Sequence, residues 1–205
     1  MSAKVIDVFD FDHTIYDGDA SRDFLLYCLR TQPGAWRELP RQVWAAGLFT
    51  VGLLSRDRFK ERSFAVLKRL PDPAAVVGEF WAQHRHKVAK WYLAQHKAHD
   101  VIISASPEFL LAPVVTELGG VLIGTRIDPV TGSLAGHNCR GEEKVRRLRA
   151  VEPDAVVDRA YSDSLTDLPI LLLAKQPFLV RNGMPAPFDT VASSADPQTR
   201  RRSRV

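Results

Sequence analysis

Short apolar runs at 5–9, 101–103, 121–124, 155–157 and 178–180 each end on polar or turn-forming residues, as buried strands do. The fourth extends naturally toward Tyr161. Between the first two runs the hydrophobic period changes. Phe24, Leu25, Tyr27, Cys28 and Leu29 form one helical stripe, and Phe59, Phe64, Leu67 and Leu70 form another. A third joins Val77, Phe80, Trp81, His84, Val88, Trp91 and Tyr92, with Asp72-Pro73 as a helix start. On that stripe His84 reads as a packing residue. Further along, Ser106 is expected to cap a helix begun by Pro107, and Pro113 to kink it. The segment Asp128-Pro129-Val130-Thr131-Gly132 predicts a turn whose flanks pair as a hairpin. Helices are expected over 141–150 and from 168, with a loose tail after Pro185.

Strands alternating with helices predict an α/β fold, a Rossmann-like parallel sheet with helices on both faces. The helical block between the first two strands is far longer than an ordinary crossover. It is expected to form a small all-helical cap inserted after the first strand. The resulting division is a discontinuous α/β core of residues 1–17 and 97–205 and a helical cap of residues 18–96.

The chain has 205 residues, 45% hydrophobic and 25% charged, which excludes global disorder. Two cysteines, Cys28 and Cys139, do not make a disulfide framework and suit a reducing, cytoplasmic setting. Acidic residues interrupt the N-terminal apolar run, so it does not read as a signal peptide. The longest greasy stretch, 43–54, falls short of the roughly 20 residues a membrane span needs. Cap packing is its plain reading, and contact with lipid or a greasy substrate is the other, which would make the protein peripheral to a membrane. The net charge of +4 gathers partly in Arg200-Arg201-Arg202-Ser203-Arg204, read as a solvated tail. No nucleic-acid-binding module accompanies it. The sequence does not set the number of subunits.

Candidate chemistry sits at the ends of the expected strands, where open parallel sheets bind ligands. Asp10 and Asp12 follow the first strand, and two carboxylates so close tend to divide into an ionised nucleophile and a protonated acid. The same pair would also suit a capped loop. Ser104 ends the second strand, where its hydroxyl could hold a phosphate oxygen. Lys144 could neutralise a phosphoryl group from a charged helix. Asp163 and Asp167 follow the fourth strand. Gathered with Asp10 and Asp12, they form an acidic set that calls for a hard cation such as Mg2+. Asp167 could alternatively orient Lys144.

These residues, in this order, resemble the haloacid dehalogenase-like (HAD) hydrolase superfamily, in its phosphoserine-phosphatase-like branch (subfamily IB). The matching segments are Asp10-Phe11-Asp12-His13-Thr14, Ser104, Lys144 and Tyr161-Ser162-Asp163-Ser164-Leu165-Thr166-Asp167. The resemblance implies a magnesium-dependent phosphomonoester hydrolase, a phosphatase. Asp10 would become an aspartyl-phosphate, and Asp12 would act as acid and then base. Ser104 and Lys144 would bind phosphoryl oxygens, while Asp10, Asp12, Asp163 and Asp167 would form the metal site. Asp19 and Arg62 fall near positions that read the leaving group in phosphoserine phosphatases. Residues 29–33, 139–145 and 161–164 are similar to phosphatidylglycerophosphate phosphatase C type proteins, which extends the substrate class from a small phosphorylated metabolite to a lipid head group. A phosphotransferase using the same intermediate and a non-catalytic phospho-ligand binding or scaffold protein remain the alternatives.

Overall fold

The computed structural model describes residues 4–189, so the basic tail lies outside the described residues. Six strands form one sheet: β1 (Val5–Phe9), β2 (Val101–Pro107), β3 (Val121–Thr125), β4 (Val156–Ser162), β5 (Gln176–Arg181) and β6 (Met184–Pro187). Their spatial order is β3-β2-β1-β4-β5-β6. The first five strands are parallel and β6 is antiparallel to β5. From β1 the chain winds first toward β3 and then, from β4, the other way. The reversal places a crevice beyond the ends of β1 and β4, where such sheets bind ligands.

Each face of the sheet buries its own apolar cluster. Ile6 and Val8 point to one face with Ile103, Leu148, Val157 and Ile170. Phe9 and Phe11 point to the other with Phe24, Phe80, Tyr92 and Leu110. The alternation along β1 follows from the two-residue period of a strand. The helices α6 (Glu108–Glu117), α7 (Glu142–Val151) and α8 (Leu168–Leu171) belong to the sheet layer. The insertion between β1 and β2 is all helical, with α1 (Ala20–Thr31), α2 (Leu39–Thr50), α3 (Arg56–Phe64), α4 (Pro73–His84), α5 (Lys90–Leu93) and three short 3-10 turns. The Phe9 cluster runs without a break from the sheet into α1 and α4. Part of the insertion therefore serves as a face-covering layer of the sheet, while α2 and α3 stand further out.

Several expectations change. β2 runs on to Pro107, because the chain stays extended and mostly buried past Ser104. The helix after it starts at Glu108 without a side-chain cap, so Ser106 is not the cap expected of it. Pro113 does lie inside α6, where the sequence put it. Of the tail expected to be loose after Pro185, residues 186–187 belong to β6, and residues from 190 lie outside the described residues. Asn182 and Gly183 both have positive φ, the conformation a tight hairpin turn needs. Pro185 and Pro187 are tolerated because β6 is an edge strand. The hairpin around Pro129 is present in short form: Ile127 bridges Leu134, Asp128 N donates to Ser133 O at 2.9 Å and Ala135 N to Arg126 O at 2.8 Å. The greasy stretch 43–54 packs far less than expected. Val43, Trp44, Val51 and Leu53 are exposed, and only Ala45 and Leu54 are buried. Among the described residues no helix is long and apolar enough to cross a membrane.

Candidate active site

β1 delivers Asp10 to the crevice and a tight turn follows at once. The backbone N–H groups of Thr14, Ile15 and Tyr16 all donate to Phe11 O, at 3.3, 3.0 and 2.9 Å. His13 takes a left-handed φ of 56° within this turn, a conformation non-glycine residues rarely adopt. Phe11 anchors the turn, fully buried against Tyr16 and edge-on to Trp81. With Phe11 pinned in the core, Asp10 and Asp12 are both left facing the site. Thr14 ties the turn to the neighbouring strand end, since its hydroxyl accepts from Asp163 N at 3.0 Å.

Asp10 is buried. Lys144 Nζ donates to Asp10 Oδ1 at 2.7 Å and to Asp167 Oδ2 at 2.6 Å. The Asp163 carboxyl lines the same cleft and is close enough to Asp10 for the two to interact. Burial raises the pKa of Asp10 well above the usual carboxylate value; Lys144 opposes this, and Asp167 and Asp12 add to it. Burial also raises Asp163. Lys144 itself is 2% exposed, and its two carboxylate partners overcome the burial that would otherwise discharge it. Its position follows from α7, whose N-cap residue Gly141 has a positive φ of 56° that turns the chain into the helix. Asp167 also accepts from Ser162 Oγ at 2.9 Å, which closes the Lys144 side.

Asp12 points toward the helical insertion. Its carboxylate accepts from Ala20 N at 2.7 Å, from Ser106 Oγ at 2.6 Å and from Ser104 Oγ at 3.3 Å. Burial, then the charge of Asp19, pushes its pKa up to about 6 despite these donors. Ser106 also pairs with Ser21 of α1 through their hydroxyls at 2.8 Å. Sequence reasoning missed Ser106 as a partner of Asp12. The signal was the Ser104-Ala105-Ser106 alternation, which puts both hydroxyls on one side of an extended strand.

The structure thus brings Asp10, Asp12, Ser104, Lys144, Asp163 and Asp167 together at the ends of β1, β2 and β4 and the start of α7. A cleft of about 190 Å³ is lined by Asp10, Asp12, Lys144, Asp163 and Asp167 among others. It opens toward a larger cleft of about 460 Å³ under the insertion, and Asp12, Asp19, Ala105 and Arg140 line both. Asp19 is at the shared rim, although one of its oxygens caps α1 by accepting from Arg22 N at 2.8 Å. Arg62 is not brought to either cleft. It lies over the Trp44 ring, 5.5 Å from its centroid, and lines a separate depression with Glu38 and Arg41. The α3 residues that do face the larger cleft are Arg56, Phe59, Lys60, Ser63 and Phe64.

Whether these residues suit a magnesium ion can be judged from the donors. Among the described residues no three His, Cys, Asp or Glu side chains gather around a common point as an all-protein cage. The Asp10 and Asp163 carboxyls nevertheless line one cleft and lie close to each other. Two carboxyls so close disfavour double ionisation unless a cation offsets them. One or two carboxylates completed by water and phosphate oxygens are the usual protein share of a magnesium site. The donor set fits that ion, with Asp167 committed to Lys144.

The model of the haloacid dehalogenase-like hydrolase family matches residues 8–172. Protein CicA of Caulobacter vibrioides is 33% identical over 202 residues, with 87% of each chain covered. A solved protein of unknown function from Bordetella pertussis Tohama I aligns with a TM-score of 0.70 at 22% identity, covering 86% of this chain and 89% of that one. A substrate-bound phosphoserine phosphatase aligns at 0.55 with 14% identity, covering 86% and 85%. An HAD family hydrolase from Salmonella enterica serovar Typhi aligns at 0.57 with 18% identity, covering 85% and 61%. At such identities the structural likeness speaks for the fold. The family match spans most of the chain and every residue gathered at the crevice, and the chain belongs to the haloacid dehalogenase-like hydrolase family.

Proposed function

We propose that this protein is a magnesium-dependent phosphomonoester hydrolase that works through an aspartyl-phosphate on Asp10. The observation that carries the reading is the cleft that Asp10, Asp12, Lys144 and Asp163 line together, with Asp10 bonded to Lys144 and Asp12 bonded to Ala20 N of the insertion. Asp10 Oδ1 is held by Lys144, which leaves its second oxygen to attack phosphorus. Lys144 then offsets the charge that develops on the phosphoryl oxygens, and the Ser104 hydroxyl and the strand-end N–H groups take up others. Asp12 protonates the leaving alcohol and afterwards takes a proton from the hydrolytic water. The donors on Asp12 fix its carboxyl at the boundary of the two clefts, where leaving group and water must pass. Asp10, Asp163 and the Asp12 backbone carbonyl would hold magnesium, which supplies electrostatic shielding between phosphate and carboxylates. Asp167 acts by orienting Lys144.

In this reading residues 18–96 form the cap, residues 1–17 and 97–205 form the core, and the cap chooses the leaving group. The substrate is a small phosphorylated metabolite or a lipid head group. The reduced, buried cysteines support a cytoplasmic setting. The exposed Trp36, Val43, Trp44, Val51 and Leu53 support a cap that rests on a lipid surface. Hydrolysis of p-nitrophenyl phosphate tests the activity. It should require magnesium, stop on chelation and vanish in Asp10→Asn. Full-rate turnover by that variant would refute the nucleophile. Transfer of phosphate to an added alcohol in place of water would turn the reading to a phosphotransferase.

A further inference from the structure

The larger cleft has a charge pattern that the catalytic chemistry leaves unused. Arg22 of α1, Arg56 and Lys60 of α3, and Arg140 before α7 all line it. Among the described residues none of the four makes a salt bridge within 4.0 Å. Nearby Arg147, by contrast, is paired with Glu143 at 2.7 Å. Lys60 is held by two neutral oxygens, Ala105 O and Asn138 Oδ1, the latter at 2.8 Å. Arg140 Nε is buried with no hydrogen-bond partner among the described residues. Arg56 stands near enough to Arg140 for burial and that like charge to lower its pKa. The carboxylates in the lining are those of Asp12 and Asp19, two against four cations, so the wall carries surplus positive charge. Leu25, Leu26, Phe49 and Phe59 add an apolar part to the lining.

Like charges converging on one cleft, with an unpaired buried N–H, call for an anion that the chain itself does not provide. The transferring phosphate belongs at Asp10 and Lys144, in the smaller cleft. We propose that the larger cleft is a subsite for a second phosphate-like anion, carried on the leaving alcohol and held by Arg22, Arg56, Lys60 and Arg140. The inference rests on the phosphomonoesterase reading and names its substrate class: a phosphomonoester with a further phosphomonoester or phosphodiester group. Arg140, which lines both clefts, lies between the two anions. Arginine suits this role because its fork pairs two phosphate oxygens at once.

The test compares propane-1,3-diol bisphosphate with propane-1,3-diol monophosphate, whose reacting ester is the same. The bisphosphate should have the higher kcat/KM, by at least about tenfold. Arg56→Gln should shrink that ratio, and Lys60→Gln should do so independently if one variant folds poorly. Arg56 heads its helix and is only half-buried, so its variant is the safer one. A short-chain lipid whose phosphodiester head group carries a terminal phosphate forms a second arm. Faster turnover of the lipid than of the bisphosphate assigns the anion to a lipid, and the reverse assigns it to a soluble metabolite. Equal kcat/KM for the bisphosphate and the monophosphate, or a ratio unchanged in both variants, overturns the subsite while leaving the phosphatase intact. Should the protein hydrolyse neither, calorimetric binding of the two compounds decides, and equal affinity overturns the subsite.

Discussion

Lys144 Nζ sits 2.7 Å from Asp10 Oδ1, and both residues are buried. A lysine this buried is stable as a cation only because Asp10 and Asp167 both face it. Removing the ammonium leaves two buried carboxylates without a counter-charge, so Lys144→Met is expected to lose about 3–5 kcal/mol of stability. In surviving folded protein, p-nitrophenyl phosphate turnover should fall at least about a hundredfold. Urea denaturation and steady-state rates on the same preparation check both. Near wild-type turnover would remove Lys144 from the chemistry.

Ser106 invites a sharper experiment, because its hydroxyl donates to the Asp12 oxygen at 2.6 Å. Removing it should disturb proton delivery to the leaving group more than attack on phosphorus. Ser106→Ala is therefore expected to slow an alkyl phosphate by about tenfold, and p-nitrophenyl phosphate by much less, since nitrophenolate leaves without a proton. Rates for the two substrates measured side by side give the answer. An equal loss on both would make Ser106 a packing residue.

How far the sequence reaches can be judged from particular residues. Asp10, Ser104 and Asp163 were legible because each follows an apolar run, and a parallel sheet aligns such ends. Lys144 was placed at the site, with Asp167 as a candidate partner, by the resemblance and not by its local pattern, because a lysine in a charged helix carries no sign of the face it presents. Arg62 was the expected reader of the leaving group, yet the faces of α3 separate it from Arg56 and Lys60. Residues 56, 60 and 63 share a helical face, and 62 falls about a third of a turn away. That phase was readable, but nothing in the sequence said which face met the site. The return of the chain as β6 was signalled by Asn182-Gly183 and obscured by two prolines. The exposure of Trp44 and Leu53 had no local signal, since an apolar helix reads alike whether it is covered or bare.

Asp7 offers a test of stability away from the chemistry. It is buried in the middle of β1 and accepts from Arg159 at 2.6 Å and Lys97 at 3.0 Å. Burial alone would raise its pKa, but these two cations hold it below 3.8. The stabilisation is therefore complete above the unfolded value and is lost as pH falls through the lower folded one. Asp7→Asn should cost about 2 kcal/mol at pH 7 and progressively less below pH 4. The neighbouring Asp100, raised by burial, has the opposite sign: its contribution weakens as pH rises from the unfolded value. Urea titrations of Asp7→Asn and wild type at pH 7 and pH 3 measure the gap. A gap that does not narrow in acid contradicts the ion-pair account.

Asp163 and Asp167 should part company when magnesium is added. Asp163 lies against Asp10, whereas Asp167 Oδ2 is taken up by Lys144 and Ser162. Magnesium binding only the folded chain raises stability by RT ln(1 + [L]/Kd), about 2.7 kcal/mol at a hundredfold excess over Kd. That gain should be present in wild type and absent in Asp163→Asn. Asp167→Asn should start from a lower stability, because Lys144 loses a partner, yet keep most of the magnesium gain. Thermal melts with magnesium and with chelator read this without any substrate. Loss of the gain in Asp167→Asn alone would exchange the two roles, making Asp167 the ligand and Asp163 the bystander.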